Sequence, residues 1–321
     1  MTADRRAMWV TGVAVALAAL GIAALVPASS TRALQVDGRE RTFVIHVPPG
    51  VGADRPLPVV LVFHGGGATG AATERSIGFD RLADRDGFIA VYPDGLNRSW
   101  NDGRDDPVIP SYRDGIDDVA FVDALLAAVG RDRAIDARRI YATGISNGAI
   151  FSQYLAVRRA SRIAAIAPVA GGLGEPVRFT PDAAVSVLIM QGTDDPLVPY
   201  HGGAITLMNR PRGRILDTDA VVALWVRHNG CALSPVVEDV AHRDPDDGCR
   251  ARRYVYPGGR DGSEVVLYRF EGGGHTWPGG RQYLPERVIG RVCRDVDATE
   301  VIWDFFRGHP KLGGSGRPPD D

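Results

Sequence analysis

The chain has 321 residues, of which 45% are hydrophobic and 24% are charged. This composition is typical of a globular protein, and the length is sufficient for a full hydrophobic core. The formal net charge of −2 gives no reason to expect a nucleic-acid partner or binding to an anionic surface.

The N-terminus has the pattern of an export signal. Arg5 and Arg6 precede an uncharged run over 8–27, and small residues follow up to Ala33. This order is typical of a signal peptide, with cleavage expected after Ala28 or Ala33. The run is longer than a usual signal core and long enough to span a bilayer, so residues 1–33 could instead be an uncleaved signal anchor. We expect the remainder to be secreted, or to lie on the outer face of the membrane if the segment is retained.

Predicted strands and helices alternate along the rest of the chain. A hairpin over 34–48 turns at Asp37-Gly38, and apolar strands with glycine-rich ends follow it. Residues 96–116 are polar and irregular, and the Gly/Pro-rich tail over 310–321 is predicted to be disordered. In chain order, the predicted strands cover 56–67, 88–95, 139–146, 163–172, 185–196 and 263–280, and the predicted helices cover 79–87, 117–132, 147–159, 218–230 and 297–309.

Continuous apolar strands that alternate with helices predict an α/β fold, with a mostly parallel central sheet covered by helices on both faces. Residues 34–309 contain no internal repeat and no linker, which indicates one domain. In such sheets the ligand binds beyond the carboxyl ends of the strands. The loops expected at that edge are rich in glycine and cover 64–67, 144–148, 171–174, 192–196 and 272–275.

A serine stands between two glycines where a strand gives way to a helix, in Gly144-Ile145-Ser146-Asn147-Gly148. A residue in a tight strand-to-helix turn projects above the sheet, and its neighbours must be small for the turn to close. The Ser146 hydroxyl is then exposed at a helix N-terminus, where backbone N–H groups point outward. This position predicts a nucleophile, and the alternative is a helix cap made by the same side chain.

A serine nucleophile needs a base, and the base needs an orienting acid. Of the seven histidines, His64 and His275 lie on glycine-rich loops at strand ends, and His275 follows the last core strand. Asp194 and Asp195 follow the strand before, where one can be the acid and the other a turn residue before Pro196. The order serine, aspartate, histidine is that of the α/β-hydrolase fold.

The sequence also offers donors for an oxyanion and aromatic side chains for a substrate. The glycines at 65–67 follow the first core strand and allow close approach of backbone N–H groups, and the N–H of Asn147 is the second donor expected. Trp100, Tyr200 and Trp277 are candidates to stack on an aromatic acyl group. Trp277 could instead pack beneath the histidine loop.

Three cysteines allow three pairings, and an oxidising compartment favours one disulfide. The segment between Cys231 and Cys249 is short and polar, so we predict that these two are linked and that Cys293 is free. The cysteine spacings fit no zinc pattern, and the aspartates over 244–247 lack the full calcium-loop pattern. We therefore predict no metal and no cofactor.

Taken together, the motifs resemble the secreted polyhydroxybutyrate-depolymerase-like and feruloyl-esterase-like enzymes of carbohydrate esterase family 1. The likeness runs from about Leu34 to about His309 and rests on "PVVLVFHGGG", "ISNGA", "QGTDDPLVPY", "NGC" and "GGGHTWPGG". Relatives often pair the cysteine of "NGC" with one shortly after a Tyr-x-x stretch, but no cysteine closely follows Tyr256. The resemblance implies a catalytic site made of Ser146 as the nucleophile, Asp195 as the acid, His275 as the base, and Gly66 and Asn147 as the oxyanion donors.

We therefore expect a secreted serine carboxylic-ester hydrolase. Its substrate would be a small ester, a feruloylated or acetylated polysaccharide, or a hydroxybutyrate oligomer. A serine peptidase of the same fold and a non-catalytic extracellular binding module are the alternatives. The chain ends soon after its final predicted helix, without an added polymer-binding domain, so we expect soluble esters to be preferred to solid polyester.

Overall fold

A computed structural model describes residues 29–207 and 210–312. The strands in these residues form a ten-stranded sheet and a separate two-stranded sheet. The strands are, in chain order, β1 (Ser29–Val36), β2 (Arg39–His46), β3 (Leu57–Phe63), β4 (Ile89–Pro93), β5 (Ile135–Ile145), β6 (Ala165–Val169), β7 (Ser186–Gly192), β8 (Gly203–Leu207), β9 (Arg210–Ile215), β10 (Val236–Asp239), β11 (Arg250–Tyr256) and β12 (Val265–Glu271). The order across the large sheet is β1-β2-β4-β3-β5-β6-β7-β12-β11-β10, and β8 and β9 form a separate hairpin.

The centre of the large sheet is parallel and its edges are antiparallel. Strands β4, β3, β5, β6, β7 and β12 run in one direction. The pair β1–β2 joins one side and the pair β11–β10 joins the other, both through antiparallel registers. The carboxyl ends of the six central strands therefore meet at one edge, where the glycine-rich loops follow them.

Helices cover both faces of the sheet. In strand β3, Val59, Leu61 and Phe63 pack into one apolar cluster, whereas Val60 and Val62 pack into the other. Because side chains alternate across a strand, a strand buried on both faces must be apolar throughout. The fold class predicted from the sequence is thereby confirmed. The helices are α1 (Gly70–Ile77), α2 (Phe79–Asp86), α3 (Pro110–Arg113), α4 (Asp118–Asp132), α5 (Asn147–Arg158), α6 (Thr218–Asn229), α7 (Glu286–Ile289) and α8 (Ala298–Gly308).

Several elements were not predicted from the sequence. Helix α1, the β8–β9 hairpin and the edge strands β10 and β11 fall in segments whose polar and apolar residues show no clear period. The region predicted to be irregular over 96–116 contains the one-turn helix α3. These short elements are positioned by packing against the main sheet, which a local pattern does not reveal.

The predicted export segment lies mostly outside the described residues, which begin at Ser29. Its last five residues, 29–33, belong to strand β1, where Ser29 pairs with His46 and Ala33 with Thr42. Cleavage after Ala33 would remove most of this edge strand, whereas cleavage after Ala28 would keep it whole. Among the described residues, no helix has both the length and the apolar character needed to cross a bilayer.

The disulfide joins Cys249 to Cys293 and leaves Cys231 buried as a free thiol. The predicted Cys231–Cys249 pair is therefore wrong. Cys249 precedes β11, and the chain returns beside it after α7, which brings the Cα atoms of Cys249 and Cys293 to 5.3 Å. Cys231 lies instead on the opposite face of the sheet, where it follows α6. The prediction was wrong because it relied on the short segment between Cys231 and Cys249. The face of the sheet on which each cysteine lies decides which cysteines can meet.

The segment after α8 makes specific contacts up to Lys311, beyond the point where disorder was predicted to begin. Lys311 donates its backbone N–H to Arg138 O, and its ammonium donates to the carbonyl oxygens of Ala160, Ile163 and Ala184 at 2.6–3.1 Å. Burial lowers the pKa of this ammonium. The disorder predicted from residue 310 therefore does not hold for 310–312, and residues 313–321 lie outside the described part.

Candidate active site

Ser146 occupies a strained turn between β5 and α5. Its backbone angles are φ 59° and ψ −122°, a conformation that costs a residue other than glycine of order 1–3 kcal/mol. A Cβ atom at Gly144 or Gly148 would lie 2.5 or 2.3 Å from the carbonyl oxygen of Phe63, so only glycine fits at either position. The Ser146 side chain makes no capping hydrogen bond, which removes the alternative of a simple helix cap.

Asp195 and His275 meet beside this turn. His275 Nδ1 lies 2.8 Å from Asp195 Oδ2, and both side chains are almost completely buried. The other carboxylate oxygen of Asp195 accepts the backbone N–H groups of Leu197 and Val198 at 2.9 and 2.8 Å. A carboxylate oxygen accepts hydrogen bonds, so Nδ1 of His275 is the donor in this contact, and Nε2 makes no hydrogen bond within the described residues.

The neighbouring aspartate is placed differently. Asp194 is exposed and accepts a hydrogen bond from the Thr193 hydroxyl at 2.9 Å, with no contact to the histidine ring. Of the two candidate acids, the fold brings only Asp195 to His275.

Backbone hydrogen bonds to a later segment of the chain hold the loop that carries His275. Gly274 donates its N–H to Arg291 O, and His275 donates its N–H to Ile289 O. The hydroxyl of Tyr283 donates to the carbonyl oxygen of His275 at 3.0 Å. These hydrogen bonds fix the backbone position of His275 and do not involve its ring nitrogens.

A cavity of about 1030 Å³ lies above these residues, and Ser146, His275, Gly66 and Asn147 all line it. Its walls come from the loop over 97–110, from the β8–β9 hairpin and from the segment over 280–289. The Gly66 N–H donates to no other group within the described ranges. The Asn147 N–H belongs to the first residue of α5 and has no acceptor within the helix. Both amides are therefore suited to bind an oxygen in the cavity.

His64 supports the glycine loop from below. It is fully buried, its Nε2 accepts the Gly95 N–H at 2.9 Å, and its Nδ1 donates to Gly65 O at 2.8 Å. These two bonds require the neutral ring, and burial lowers the pKa of His64 accordingly. Since both ring nitrogens are engaged, His64 orients the loop and is not a base.

The side chain of Asn147 holds the loop after β4 against the turn. Its amide accepts from the Trp100 N–H at 2.8 Å and donates to Trp100 O and to Asp102 Oδ2 at 3.1 and 2.6 Å. Asp102 is buried and also pairs with the Arg104 guanidinium at 2.8 Å. The sequence predicts only a backbone role for Asn147, because this side-chain network depends on a loop whose path the sequence does not reveal.

Two of the three predicted aromatic contacts are contradicted. Trp100 is fully buried, stacks on Phe151 with ring centroids 5.1 Å apart, and does not line the cavity. Tyr200 is also buried away from the cavity, and its hydroxyl donates to Asp219 at 2.7 Å. Trp277 does line the cavity, but its indole N–H donates to Thr299 and most of its ring packs in the core. Most of the wall is aliphatic instead, from residues such as Ile145, Leu197, Ile205, Leu207 and Ile289.

Metal-binding side chains do not converge anywhere in the described part of the chain. The acidic turn over 244–247 is used internally, because Asp247 accepts the backbone N–H groups of Cys249 and Arg294.

The mostly parallel central sheet with helices on both faces, and the serine at the turn between β5 and α5, are features of the α/β-hydrolase fold. Two solved structures share this fold. The acetyl xylan esterase from Aspergillus awamori superposes with a TM-score of 0.51 at 14% identity, over 75% of this chain and 92% of its own. A dienelactone hydrolase-like promiscuous phosphotriesterase from metagenomic libraries gives 0.52 at 17% identity, over 87% and 97%.

Sequence comparison gives the narrower class. The family described as esterase PHB depolymerase matches residues 41–199. NocK of Nocardia uniformis, a provisionally named esterase, is 28% identical over 87% of this chain and 83% of its own. Feruloyl esterase D of Neurospora crassa is 27% identical over 84% and 83%, and feruloyl esterase B of Piromyces equi is 26% identical over 74% of this chain but 42% of its own length. The chain therefore resembles the esterases related to polyhydroxybutyrate depolymerases and feruloyl esterases, and it is a carboxylic-ester hydrolase.

Proposed function

We propose that this protein is an exported serine esterase in which Ser146, His275 and Asp195 form the catalytic triad. The observation that carries the proposal is the 2.8 Å contact of His275 Nδ1 with Asp195 Oδ2, on the wall of the cavity that Ser146 also lines. Ser146, Asp195 and His275 follow strands β5, β7 and β12, whose carboxyl ends lie at the same edge of the sheet, as a triad on this fold requires.

In the first half of the reaction, Ser146 Oγ attacks the ester carbonyl carbon and its proton passes to Nε2 of His275. Asp195 stabilises the imidazolium that forms, and the two backbone N–H groups on its outer oxygen prevent it from turning away. The carbonyl oxygen becomes an oxyanion and is bound by the N–H groups of Gly66 and Asn147.

In the second half, the bond to the leaving alcohol breaks and His275 gives its proton to the alcohol oxygen. Water then attacks the acyl group on Ser146 and gives a proton to His275, and His275 passes that proton to Ser146 Oγ as the bond between Oγ and the carboxylic acid breaks. The strained backbone of Ser146 holds its hydroxyl at the start of this path before any substrate binds.

Export is supported by two independent features. The N-terminal pattern of Arg5, Arg6 and an apolar run is typical of a signal segment. The Cys249–Cys293 disulfide persists in oxidising compartments and is rare in the cytosol. Expression of the full chain followed by fractionation tests this part, since recovery in the cytoplasm alone would contradict it.

Covalent labelling by a fluorophosphonate probe tests the nucleophile. We expect the wild type to be labelled and Ser146→Ala not to be labelled, with ester turnover lowered by several orders of magnitude. Ser76→Ala is the matched control, because Ser76 lines the same cavity but donates its hydroxyl to Thr73 O. Labelling of a folded Ser146→Ala protein would overturn the assignment.

The same preparation separates the alternatives. A non-catalytic binding module would not be labelled at all. A peptidase would also release p-nitroaniline from the p-nitroanilide of the same acid, whereas we expect only the p-nitrophenyl ester to be cleaved.

A further inference from the structure

The charged side chains that line the cavity are all of one sign. Arg98, Arg104, Arg212 and Arg281 contribute to the wall, and within the described ranges no aspartate or glutamate does. The whole chain has 39 acidic and 37 basic residues, so this wall differs from the rest of the protein by its lack of acids. A concave surface of one sign, enclosed by low-dielectric walls, concentrates ligands of the opposite charge.

Among the described residues, a carboxylate neutralises one of these four arginines. Arg104 forms a bidentate pair with the buried Asp102. Arg98, Arg212 and Arg281 have no carboxylate within 4.0 Å in the part of the chain described. The Nε of Arg212 is buried and has no hydrogen-bond acceptor among the described residues, an arrangement that is unfavourable unless a ligand supplies one.

The backbone holds two of the unpaired arginines at the cavity. Asn97 and Arg98 both have positive φ angles, 55° and 57°, which is uncommon for residues other than glycine. Arg98 O accepts the Gly67 N–H at 2.8 Å, which attaches this strained turn to the glycine loop. Arg212 lies on β9, and its carbonyl oxygen accepts from the Arg104 guanidinium at 3.0 Å, which attaches this part of the wall to the loop over 97–110. Strain at a cavity wall is typical of a position fixed for function.

We infer that the ester cleaved at Ser146 also carries a free carboxylate, which Arg98 and Arg212 bind. The rest of the wall is mainly aliphatic, so the substrate has an apolar body between the ester and the carboxylate. Half-esters of aliphatic dicarboxylic acids have this chemistry. A carboxylate suits such a wall better than a phosphate dianion, which costs more to desolvate. The inference rests on the proposed esterase function of Ser146.

A matched pair of substrates tests the inference. Monomethyl adipate and methyl heptanoate present the same methyl ester on similar chains, but only the first ends in a carboxylate, and methanol release reports both. We expect kcat/KM to be at least about tenfold higher for monomethyl adipate at low salt. This preference should shrink as ionic strength rises, because salt screens the attraction.

Single variants assign the effect to the two arginines. Arg98→Gln and Arg212→Gln should each lower the ratio of the two kcat/KM values by about tenfold. Arg210→Gln is the control, because Arg210 lies on the same hairpin as Arg212 but does not line the cavity, and its ratio should stay at the wild-type value. A wild-type preference for methyl heptanoate, or an Arg210 variant that changes the ratio as much as the Arg212 variant, would overturn the inference.

Binding measured without turnover separates this inference from the proposed function. Calorimetry with Ser146→Ala protein should show binding of monomethyl adipate that Arg212→Gln weakens by about tenfold. If that binding is found but the wild type cleaves neither ester, the triad assignment fails and the anion site stands. If methyl heptanoate is cleaved by Ser146 and monomethyl adipate does not bind, the anion site fails and the triad stands.

Discussion

Replacing Cys249 by alanine removes the bond that ties the start of β11 to the segment after α7. The same segment supports the histidine loop, because Ile289 and Arg291 accept the backbone N–H groups of His275 and Gly274. We therefore expect Cys249→Ala to lower both the free energy of unfolding and the rate of ester hydrolysis.

The magnitude follows from the length of chain that the disulfide closes. Cys249 and Cys293 are 44 residues apart. Restricting a loop of that size in the unfolded chain corresponds to about 4 kcal/mol of stability. Urea unfolding followed by tryptophan fluorescence measures this loss directly, and the slope against urea should rise because the unfolded chain without the bond exposes more surface.

The other cysteines provide the controls. Cys293→Ala should cost about as much as Cys249→Ala, and the double variant no more than either, because each change removes the same bond. Cys231→Ala removes a free buried thiol and should cost only about 1 kcal/mol. Additive losses at 249 and 293, or an equally large loss at 231, would refute the reasoning, and peptide mapping without reductant identifies the pair independently.

Three further results are expected. Asp195→Asn should lower kcat by about 10⁴-fold, because an amide does not hold the imidazole in the required tautomer, whereas Asp194→Asn should stay near the wild type; the reverse order would move the acid to Asp194. Gly148→Ala should cost at least about 3 kcal/mol in urea unfolding, since its Cβ would lie 2.3 Å from Phe63 O, whereas Gly308→Ala meets no atom within 4 Å and should be neutral or stabilising. Burial lowers the pKa of His64 in the folded protein below its ordinary value of 6.5. As the pH falls below 6.5, the unfolded chain therefore binds a proton at His64 before the folded protein does. The free energy of unfolding should then decrease by up to about 1.4 kcal/mol per pH unit, whereas above pH 6.5 His64 causes no such loss. His64→Gln should flatten that acid limb of the stability curve, and an unchanged limb would assign it to another group.

The parts of the site that the sequence predicted are those governed by local sterics and chain order. Gly144 and Gly148 are needed because a Cβ at either would overlap the Phe63 carbonyl, and that requirement is visible as a pattern. The placement of Asp195 and His275 follows from the strands they terminate, since parallel strands deliver their carboxyl ends to one edge. Their catalytic roles remain predictions until the variants are measured.

The parts that the sequence did not predict depend on how loops fold back. Trp100 and Tyr200 follow the expected strands, but the backbone turns them into the core, where they stack or donate a hydrogen bond. The Cys249–Cys293 bond and the wall formed by Arg212 depend on segments that approach one another only after the sheet has formed. A one-dimensional pattern does not contain that information.

Lys311 is the only lysine in the sequence, and its ammonium already donates to three carbonyl oxygens beneath α8. All other basic side chains apart from histidine are guanidiniums, which amine-directed reagents do not modify under mild conditions. Dyes, cross-linkers and solid supports that couple to primary amines are therefore directed to the amino terminus of the chain. Immobilisation by amine chemistry would attach the protein at a single point and leave the arginines of the cavity wall unmodified.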